Sequence, residues 1–317
     1  MGEQLDVVAQ GLVAWDEMVW VSNLPGPEGA AVALRQEIDG GGMAANFAVA
    51  LARLGGRVGL IAALGGDTAG QQLREHLQGN GIDLAHCPVR PAAGMTRTVM
   101  YIDPQATRTG VLYHLDTILS LRPEEINAAY LAQAPVFFTD QTPPEAAVAA
   151  ARLARRLGKT VVTDMQVGLD QSSGLGITAA RVRATLAYTD IFAPSRAGLT
   201  SLMQIDDVDQ ALEVACRRYP DKVVVVTLGA QGSVIGQGER RVVIPAYPVE
   251  VIDTTGAGDV YHAAFVYAFC LRGWTLEQAG HFASAAAALK CRQVGAQRGA
   301  PTLAEVRAFC PTCVPEP

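Results

Sequence analysis

Short apolar, β-branched runs alternate along the chain with longer segments of helical periodicity from about residue 57 onward. Runs of this kind are typical of strands that are buried on both faces of a sheet. The strand-like runs are Val58–Ala62, Val136–Thr139, Thr160–Asp164, Ile191–Ala193 and Val223–Leu228. The helical segments are Ala69–Gln78, Pro144–Leu157, Ala179–Ala187 and Val208–Tyr219. The alternation predicts an α/β fold with a central, mainly parallel sheet flanked by helices.

Two segments interrupt this rhythm. Residues 12–38 and 96–114 contain strand-like runs with no helix between them. The second segment has the pattern of a hairpin, with Thr96–Ile102 and Thr107–His114 joined by a turn. We expect the two segments to form a small antiparallel sheet, a lid over a site. Because no linker divides the chain, we expect a single domain over residues 1–317.

The first of these segments carries large apolar residues. Trp15, Met18 and Trp20 lie close together in one strand-like run. Apolar side chains exposed on a sheet with free edges favour association with a second chain. We therefore expect a homodimer that forms through the lid.

Composition narrows the function classes. The 317 residues are 50 % apolar and 18 % charged, and the net charge is −6. A chain this acidic has no general attraction for nucleic-acid phosphates, and its apolar stretches are too short for a membrane span. No secretory signal opens the chain, and the six scattered cysteines predict free thiols in the cytoplasm. Cys310 and Cys313 form a single C-x-x-C, to which we assign no metal.

The segment Asp253-Thr-Thr-Gly-Ala-Gly-Asp259 indicates a specific chemistry. It follows a strand-like run at Ala246–Ile252 and precedes a predicted helix at Val260–Leu271. Backbone amides of small residues at a helix N-terminus stabilise anions through hydrogen bonds and the helix dipole. A carboxylate directly after them would repel a phosphate unless it faces a neutral hydroxyl and accepts its proton. The alternative is an ordinary glycine-rich turn between a strand and a helix.

Two glycine-rich segments resemble the signatures of the ribokinase-like (PfkB) carbohydrate kinases. Asp253–Asp259 resembles the C-terminal signature of that family, and Gly40–Gly55 resembles its N-terminal signature. Val226–Ser233 and Ala283–Pro301 are similar to its nucleotide-loop strand and closing segment, so the resemblance runs from about residue 5 to 310. It implies a ribokinase-like fold and transfer of phosphate from ATP, with Mg²⁺, to a hydroxyl of a sugar-like molecule.

The resemblance also implies roles for individual residues. Asp259 would be the catalytic base. The anion hole would be formed by Gly256, Ala257 and Gly258. The sugar would be held by Asp16, which we place at the end of the first strand, and by Gly41, Gly42 and Asn46. ATP would lie along Thr227, Gly229 and Gly232. A monovalent cation such as K⁺ would be bound by Asp253, Thr255 and Gly295.

Arg97 lies on the predicted lid hairpin. A guanidinium there would suit an acidic group on the substrate, such as a carboxylate, a sulfonate or a phosphate. The alternative is an arginine on the solvent-facing side of the strand. The sequence does not decide between these two interpretations.

The chain departs from the family pattern at one place. The family often carries Asn-x-x-Glu after a mid-chain strand, where it helps to hold the water shell of Mg-ATP. Ser195 and Gly198 stand at these positions. Because Mg²⁺ prefers oxygen ligands, we expect Asp164 to be the substitute. The departure also leaves open a non-catalytic relative that binds a sugar or a nucleotide without turnover.

Two further motifs are weak matches to other nucleotide-binding sites. Gly40–Ala45 matches a dinucleotide-binding fingerprint, but a polar stretch precedes it instead of a buried strand. Gly158–Thr160 ends like a P-loop but lacks the earlier glycine. Among the kinases, a nucleoside kinase stays open, because aromatic residues occur in the segments expected to bind the substrate.

Overall fold

The structure is a computed structural model that describes residues 4–105 and 108–315. Its strands are β1 (Val7–Gln10), β2 (Ala14–Val21), β3 (Ala33–Gly41), β4 (Val58–Ile61), β5 (Leu64–Gly65), β6 (Val89–Arg90), β7 (Arg97–Ile102), β8 (Arg108–Tyr113), β9 (Val136–Thr139), β10 (Thr160–Met165), β11 (Ile191–Pro194), β12 (Val223–Thr227), β13 (Ser233–Gln237) and β14 (Arg240–Ile244). Its helices are α1 (Met43–Arg53), α2 (Thr68–Gly79), α3 (Leu115–Leu119), α4 (Ala128–Ala132), α5 (Pro144–Arg156), α6 (Ala179–Leu186), α7 (Arg196–Met203), α8 (Val208–Arg218), α9 (Ala257–Val266), α10 (Leu276–Lys290) and α11 (Leu303–Phe309).

Eight strands form the large sheet, in the order β14-β13-β12-β11-β10-β9-β1-β4. Neighbouring strands from β12 to β4 are parallel, and β13 and β14 extend the sheet in antiparallel fashion. The strand-like runs of the sequence correspond to β4 and β9–β12, which confirms the predicted mainly parallel sheet. Successive residues of β1 face opposite sides: Val7 and Ala9 belong to one core cluster and Val8 to another. The carboxyl ends of the parallel strands therefore meet at one edge, where ligands bind in such folds.

Helix α9 is buried along most of its length. Every residue from Asp259 to Val266 is buried, and the helix packs between α1 and α10. Small residues such as Ala263 and Ala264 let the neighbouring helices approach closely. A group at the N-terminus of this helix is therefore carried by a rigid element of the core.

The small sheet has the strand order β3-β2-β7-β8. It contains the hairpin that the sequence predicts. Thr107, the predicted first residue of the second hairpin strand, lies outside the described residues. Strand β2 pairs with β7 in parallel, so the prediction of an antiparallel sheet was wrong for this pair. The reason is that β2 and β7 are separated by α1, β4 and α2, and a connection of that length permits parallel pairing.

The faces of the small sheet correct the prediction of which apolar residues are exposed. Met18 is buried, and Trp15 and Trp20 are half-buried. The pairing register places a different apolar set on the face that points away from the large sheet. The exposed residues of that outer face are Leu34, Ile38, Val111 and Tyr113.

Two further expectations need correction. Ala246–Ile252 forms no strand, because Pro248 within it lacks an amide N–H for pairing with a neighbouring strand. Asp16 lies within the second strand and not at the end of the first one.

The cysteines also differ from the expectation of free thiols throughout. Cys310 and Cys313 form a disulfide, with their Cα atoms 5.3 Å apart. That separation lies within the ordinary range for a disulfide. Cys87, Cys216 and Cys270 are free, as is Cys291. Across residues 4–105 and 108–315, no helix has both the length and the apolar character needed to cross a bilayer.

Candidate active site

Asp259 lies in the first turn of α9, at the carboxyl edge of the large sheet. The helix begins after Gly256, whose φ of 77° is in the left-handed region that favours glycine. The Asp259 side chain is buried, and two amides donate to it. Asn46 Nδ2 lies 2.7 Å from Asp259 Oδ2, and Gln166 Nε2 lies 3.4 Å from Asp259 Oδ1. Three separate elements thus fix the position of one carboxylate.

The environment of Asp259 raises its pKa well above the usual value for aspartate. Burial is the main cause, and the negative charge of Asp164 adds to it. The hydrogen bond from Asn46 opposes the shift, whereas the charges of Asp140 and Asp16 increase it. A carboxylate with a raised pKa accepts a proton from a hydroxyl more readily, which suits it to act as a general base.

The small residues before Asp259 allow close contacts around the start of α9. A Cβ atom on Gly256 would lie 2.7 Å from Ala296 Cβ, and one on Gly258 would lie 2.4 Å from Gln166 Oε1. Gly256, with its positive φ, therefore requires glycine, whereas a side chain at Gly258 would displace the amide of Gln166. The backbone amides of 256–258 are at the positive end of the α9 dipole, where an anion is stabilised.

A cleft of about 280 Å³ lies between the small sheet and this loop. Asp16 lies in its wall, and Oδ1 of Asp16 is buried without a hydrogen-bond partner among the described residues. Burial raises the pKa of Asp16 to about 6, a hydrogen bond from Thr98 lowers it, and the nearby Asp39 raises it. A free carboxylate oxygen aimed into a cleft is suited to accept from hydroxyl groups of a sugar.

The predicted glycines beside the cleft have steric roles. A Cβ atom on Gly41 would lie 2.0 Å from Asp16 Oδ2. Gly42 has a φ of 90°, and a Cβ atom there would lie 2.5 Å from the carbonyl oxygen of Leu12. The chain therefore turns from β3 into α1 close to Asp16, and α1 carries Asn46 to Asp259.

The structure does not bring Arg97 into this cleft. Arg97 pairs with Tyr113 across β7 and β8, and its guanidinium carbon lies 5.6 Å from the Tyr113 ring centroid. The adjacent Thr98 faces the cleft, so alternation along the strand places Arg97 on the outer face. Arg35 of β3 lines the cleft instead, with its guanidinium carbon 4.6 Å from the Trp20 ring centroid.

A second cleft, of about 510 Å³, lies on the other side of the loop. The predicted nucleotide residues Thr227, Gly229 and Gly232 lie along it. Gly232 has a φ of 87°, and a Cβ atom there would lie 2.1 Å from the carbonyl oxygen of Ile244. The opposite wall is mostly apolar and includes Val249, Val251, Ala287 and Ala288. A cleft with apolar walls and a glycine-rich edge suits a nucleotide.

The glycine loop separates the two clefts. Asp253 and Thr255 face the first cleft, whereas Thr254, Ala257 and Gly258 face the second. A ligand that reaches the loop from one cleft is therefore close to a ligand that reaches it from the other. Asp259 follows this loop directly, at the junction where transfer between two ligands would occur.

Asp164, the expected Mg²⁺ residue, is fully buried near this junction. Neither of its carboxylate oxygens accepts a hydrogen bond from the described residues, and Oδ1 lies 3.3 Å from His262 Nδ1. Ser195 caps α7 by accepting from the amide of Gly198. A Cβ atom on Gly198 would lie 2.2 Å from the carbonyl oxygen of Met165, so a glutamate does not fit at this position without a shift of the backbone.

Asp253, Thr255 and Gly295, predicted to bind a monovalent cation, do lie together. Asp253 Oδ1 accepts from the amide and hydroxyl of Thr255, and Oδ2 accepts from the amide of Gly295 at 3.0 Å. Burial alone would raise the pKa of Asp253. The hydrogen bonds from Thr255, the charge of Lys290 and the hydrogen bond from Gly295 outweigh burial and lower it.

Sequence reasoning missed several residues of this region. Asp140 follows β9 and accepts from the amides of Leu12, Ala44 and Thr142, which ties β1 and α1 to the sheet edge. Its position at the carboxyl end of a parallel strand was a usable signal. The other missed residues are Gln166, Gln297, Lys290 and Arg35, and only Lys290, the lysine that ends the alanine-rich α10, stood out in the sequence.

The comparisons with known proteins agree on one family. The model of the pfkB family carbohydrate kinases matches residues 9–303. The chain is 32 % identical to an ATP-dependent ribose-1-phosphate kinase of Halopiger xanaduensis, over 96 % of this chain and 97 % of that protein. It is 29 % identical to a nucleoside kinase of Methanothermobacter thermautotrophicus, over 96 % of this chain and 95 % of that protein.

A solved structure shows the same fold. The Arabidopsis thaliana ribokinase complexed with ribose and ATP superposes with a TM-score of 0.83. The two chains are 24 % identical, and the match covers 96 % of this chain and 98 % of that one. At this identity the likeness supports the predicted ribokinase-like architecture and nothing more.

Proposed function

The chain belongs to the PfkB family of ATP-dependent carbohydrate kinases, and we propose that Asp259 is the base that activates the acceptor hydroxyl. The observation that carries this proposal is that Asp259 directly follows the loop whose residues line both clefts. The acceptor lies in the first cleft and ATP in the second. Only the loop at 253–258 separates the two ligands.

The roles of the other residues follow from their positions. Asp16 accepts from hydroxyl groups of the sugar and fixes its orientation. Asp259 takes the proton of the reacting hydroxyl as that oxygen attacks the γ-phosphorus in line with the departing ADP. The amides of 256–258 stabilise the charge of the transferring group. The small sheet acts as a lid that excludes water, which limits hydrolysis of ATP.

The proposal includes Mg²⁺ bound with ATP. When bound, Mg²⁺ screens the charge of the phosphates. The two buried oxygens of Asp164, which accept no hydrogen bond from the described residues, fit the preference of this ion for oxygen donors. We propose that Asp164 supports its water shell in place of the missing side chains at Ser195 and Gly198.

We propose that the acceptor is a sugar that carries an anionic group, as in the ribose-1-phosphate kinase relative. Arg35 is a basic residue that lines the first cleft, and it forms an ion pair with Glu37. Its side chain is 56 % exposed, so it lies at the open end of the cleft. An anionic substituent at that end would share the guanidinium with Glu37.

The test is ADP release over a panel of pentoses, pentose phosphates, ketohexoses, sugar acids, sulfo-sugars and nucleosides. The wild type is compared with Arg35→Gln and, as a matched control, with Arg97→Gln on the outer face. We expect an anionic sugar to be the best acceptor. Its kcat/KM should fall about 10- to 100-fold in Arg35→Gln, because a charged hydrogen bond is lost, and stay unchanged in Arg97→Gln.

A nucleoside acceptor is the second candidate. The first cleft is lined by Met18, Trp20, Met100 and Ile102, side chains against which a base could stack. Preference for a neutral nucleoside, with no effect of Arg35→Gln, would favour this candidate over an anionic sugar. Binding of ATP with no ADP from any panel member would instead support a non-catalytic relative.

We also propose that the protein works as a cytoplasmic homodimer. ATP is available in the cytoplasm, and the outer face of the small sheet exposes a group of apolar side chains that a second copy would cover. The group is Leu34, Ile38, Val111 and Tyr113. A monomer by light scattering at micromolar concentration would contradict the dimer.

A further inference from the structure

Lys290 places a buried ammonium group at the end of α10. Its side chain is 0 % exposed, and Nζ donates to the carbonyl oxygen of Asp253 at 2.8 Å and to that of Gln293 at 3.3 Å. The same nitrogen lies 3.7 Å from Asp253 Oδ2. A buried charge is costly unless it is paired and hydrogen-bonded, and here it has both kinds of partner.

These oxygen atoms come from two neighbouring loops. One is the loop before α9, which contains Asp253 and Thr255. The other follows α10 and contains Gln293 and Gly295. Carbonyl oxygens from two loops around one positive charge form the kind of cage that holds a monovalent cation, and here the charge comes from the chain itself.

The geometry leaves no suitable place for an added K⁺ beside this ammonium. The carbonyl oxygens of Asp253 and Gln293 already accept from Lys290. Both carboxylate oxygens of Asp253 accept from Thr255 and Gly295. A second positive charge within a few ångströms of Nζ would also be repelled. The residues expected to bind a monovalent cation therefore do not fit that ion.

We propose that the Lys290 ammonium takes the place of a monovalent cation and makes phosphoryl transfer independent of K⁺. The inference rests on the proposed kinase function. Lys290 acts as a positioning residue and does not touch the reacting atoms.

Its effect reaches the active site through the backbone. The amides of Ile252 and Asp253 donate to the carbonyl oxygen of Cys291, the residue after Lys290. Together with the Nζ bonds, these contacts fix the start of the 253–258 loop against the end of α10. The amides that we assign to the anion hole lie three residues further along the same loop. Their direction therefore depends on this anchor.

The test compares wild type, Lys290→Ala and Lys290→Met in chloride salts of potassium and tetramethylammonium at equal ionic strength. The readouts are Tm and ADP release with the best acceptor. We expect the wild type to give the same values in both salts. In tetramethylammonium chloride, Lys290→Ala should release ADP at least about tenfold more slowly than the wild type, because the loop loses its anchor.

Restoration of Tm and rate by K⁺ distinguishes a cation-like role of Lys290 from a merely structural one. In Lys290→Ala the removed side chain leaves room among the same oxygens, so K⁺ should raise its Tm and its rate in a saturable manner. In Lys290→Met the apolar chain fills that room, and K⁺ should have no effect. Lys159→Ala is the matched control, because Lys159 also donates to a carbonyl oxygen, that of Ala132, but at an exposed site.

Two results would overturn the inference. One is a saturable rise in the rate or Tm of the wild type with K⁺. The other is a Lys290→Ala variant as unresponsive to K⁺ as Lys290→Met. Because Tm responds to ion binding without any turnover, these results stay readable even if no acceptor is phosphorylated.

Discussion

Asp253 and Asp259 begin and end one loop, both are buried, and their pKa values shift in opposite directions. Asp253 accepts hydrogen bonds at both oxygens and lies beside the Lys290 ammonium, and its pKa is lowered. Asp259 has one short hydrogen bond, from Asn46, and faces other carboxylates, and its pKa is raised. Burial acts on both residues, so the difference comes from their partners.

The comparison explains how one short segment carries two functions. A carboxylate whose negative charge is balanced by hydrogen bonds and a nearby ammonium group stays ionised and serves as an anchor for the backbone. A carboxylate with a raised pKa and no cation beside it among the described residues takes up a proton more readily, which suits a base. Within the described part of the chain, a lysine lies beside Asp253, and no lysine pairs with Asp259.

The largest expected effect comes from removing the base. Asp259→Asn should lower kcat for ADP release about 10²- to 10⁴-fold, the usual contribution of general base catalysis. Its Tm should equal or exceed that of the wild type at pH 8, because a buried charge among carboxylates is removed. If Asp259→Asn keeps most of the activity, Asp259 is not the catalytic base. A Tm below that of the wild type would contradict the raised pKa of Asp259.

A smaller effect is expected from the donor to Asp259. Asn46→Ala removes the hydrogen bond that lowers the pKa of Asp259, so that pKa should rise further. The base must be ionised to work, and the rising part of the activity profile should therefore move to higher pH. The profile of Asn80→Ala, in which the lost hydrogen bond goes to His76 on α2, should not move.

The smallest effect is expected at the anchored carboxylate. Thr255→Val keeps the shape of the side chain but removes the hydroxyl that lies 2.7 Å from Asp253 Oδ1. We expect a loss of about 1–2 kcal/mol in the free energy of unfolding, measured with urea. Thr200→Val, whose hydroxyl lies 3.4 Å from the Ala197 carbonyl oxygen, is the control. Equal stability of the two variants would show that the Asp253 anchor is weak.

The sequence predicted the large sheet well because its strands are continuous apolar runs. Val136–Thr139 is buried at every position, so composition alone marks it as a central strand. The small sheet was harder to predict from the sequence, because its side chains alternate between a cleft and an outer face. Whether Arg97 or Arg35 meets the substrate depends on the pairing of β2, β3 and β7, which no local pattern reveals.

Some residues of the candidate active site could likewise be predicted from the sequence, and others could not. Asp259 and the glycines before it were found because the chemistry lies within one continuous segment. The donors Asn46 and Gln166 and the ammonium of Lys290 reach this segment from elements far away in the chain. Asn46 was assigned to the sugar through the family resemblance, whereas the structure shows it bonded to Asp259. Such contacts are fixed by tertiary packing and are not encoded in any one motif.

The most direct test of the account is the pH dependence of kcat/KM for the wild type with its best acceptor. We expect the rate to rise with pH through an apparent pKa well above the ordinary aspartate value of about 4, because Asp259 must lose a proton held by burial and by neighbouring charges. A rate that stays constant down to about pH 5 would show that the base has an ordinary pKa, and would contradict the role assigned to Asp259.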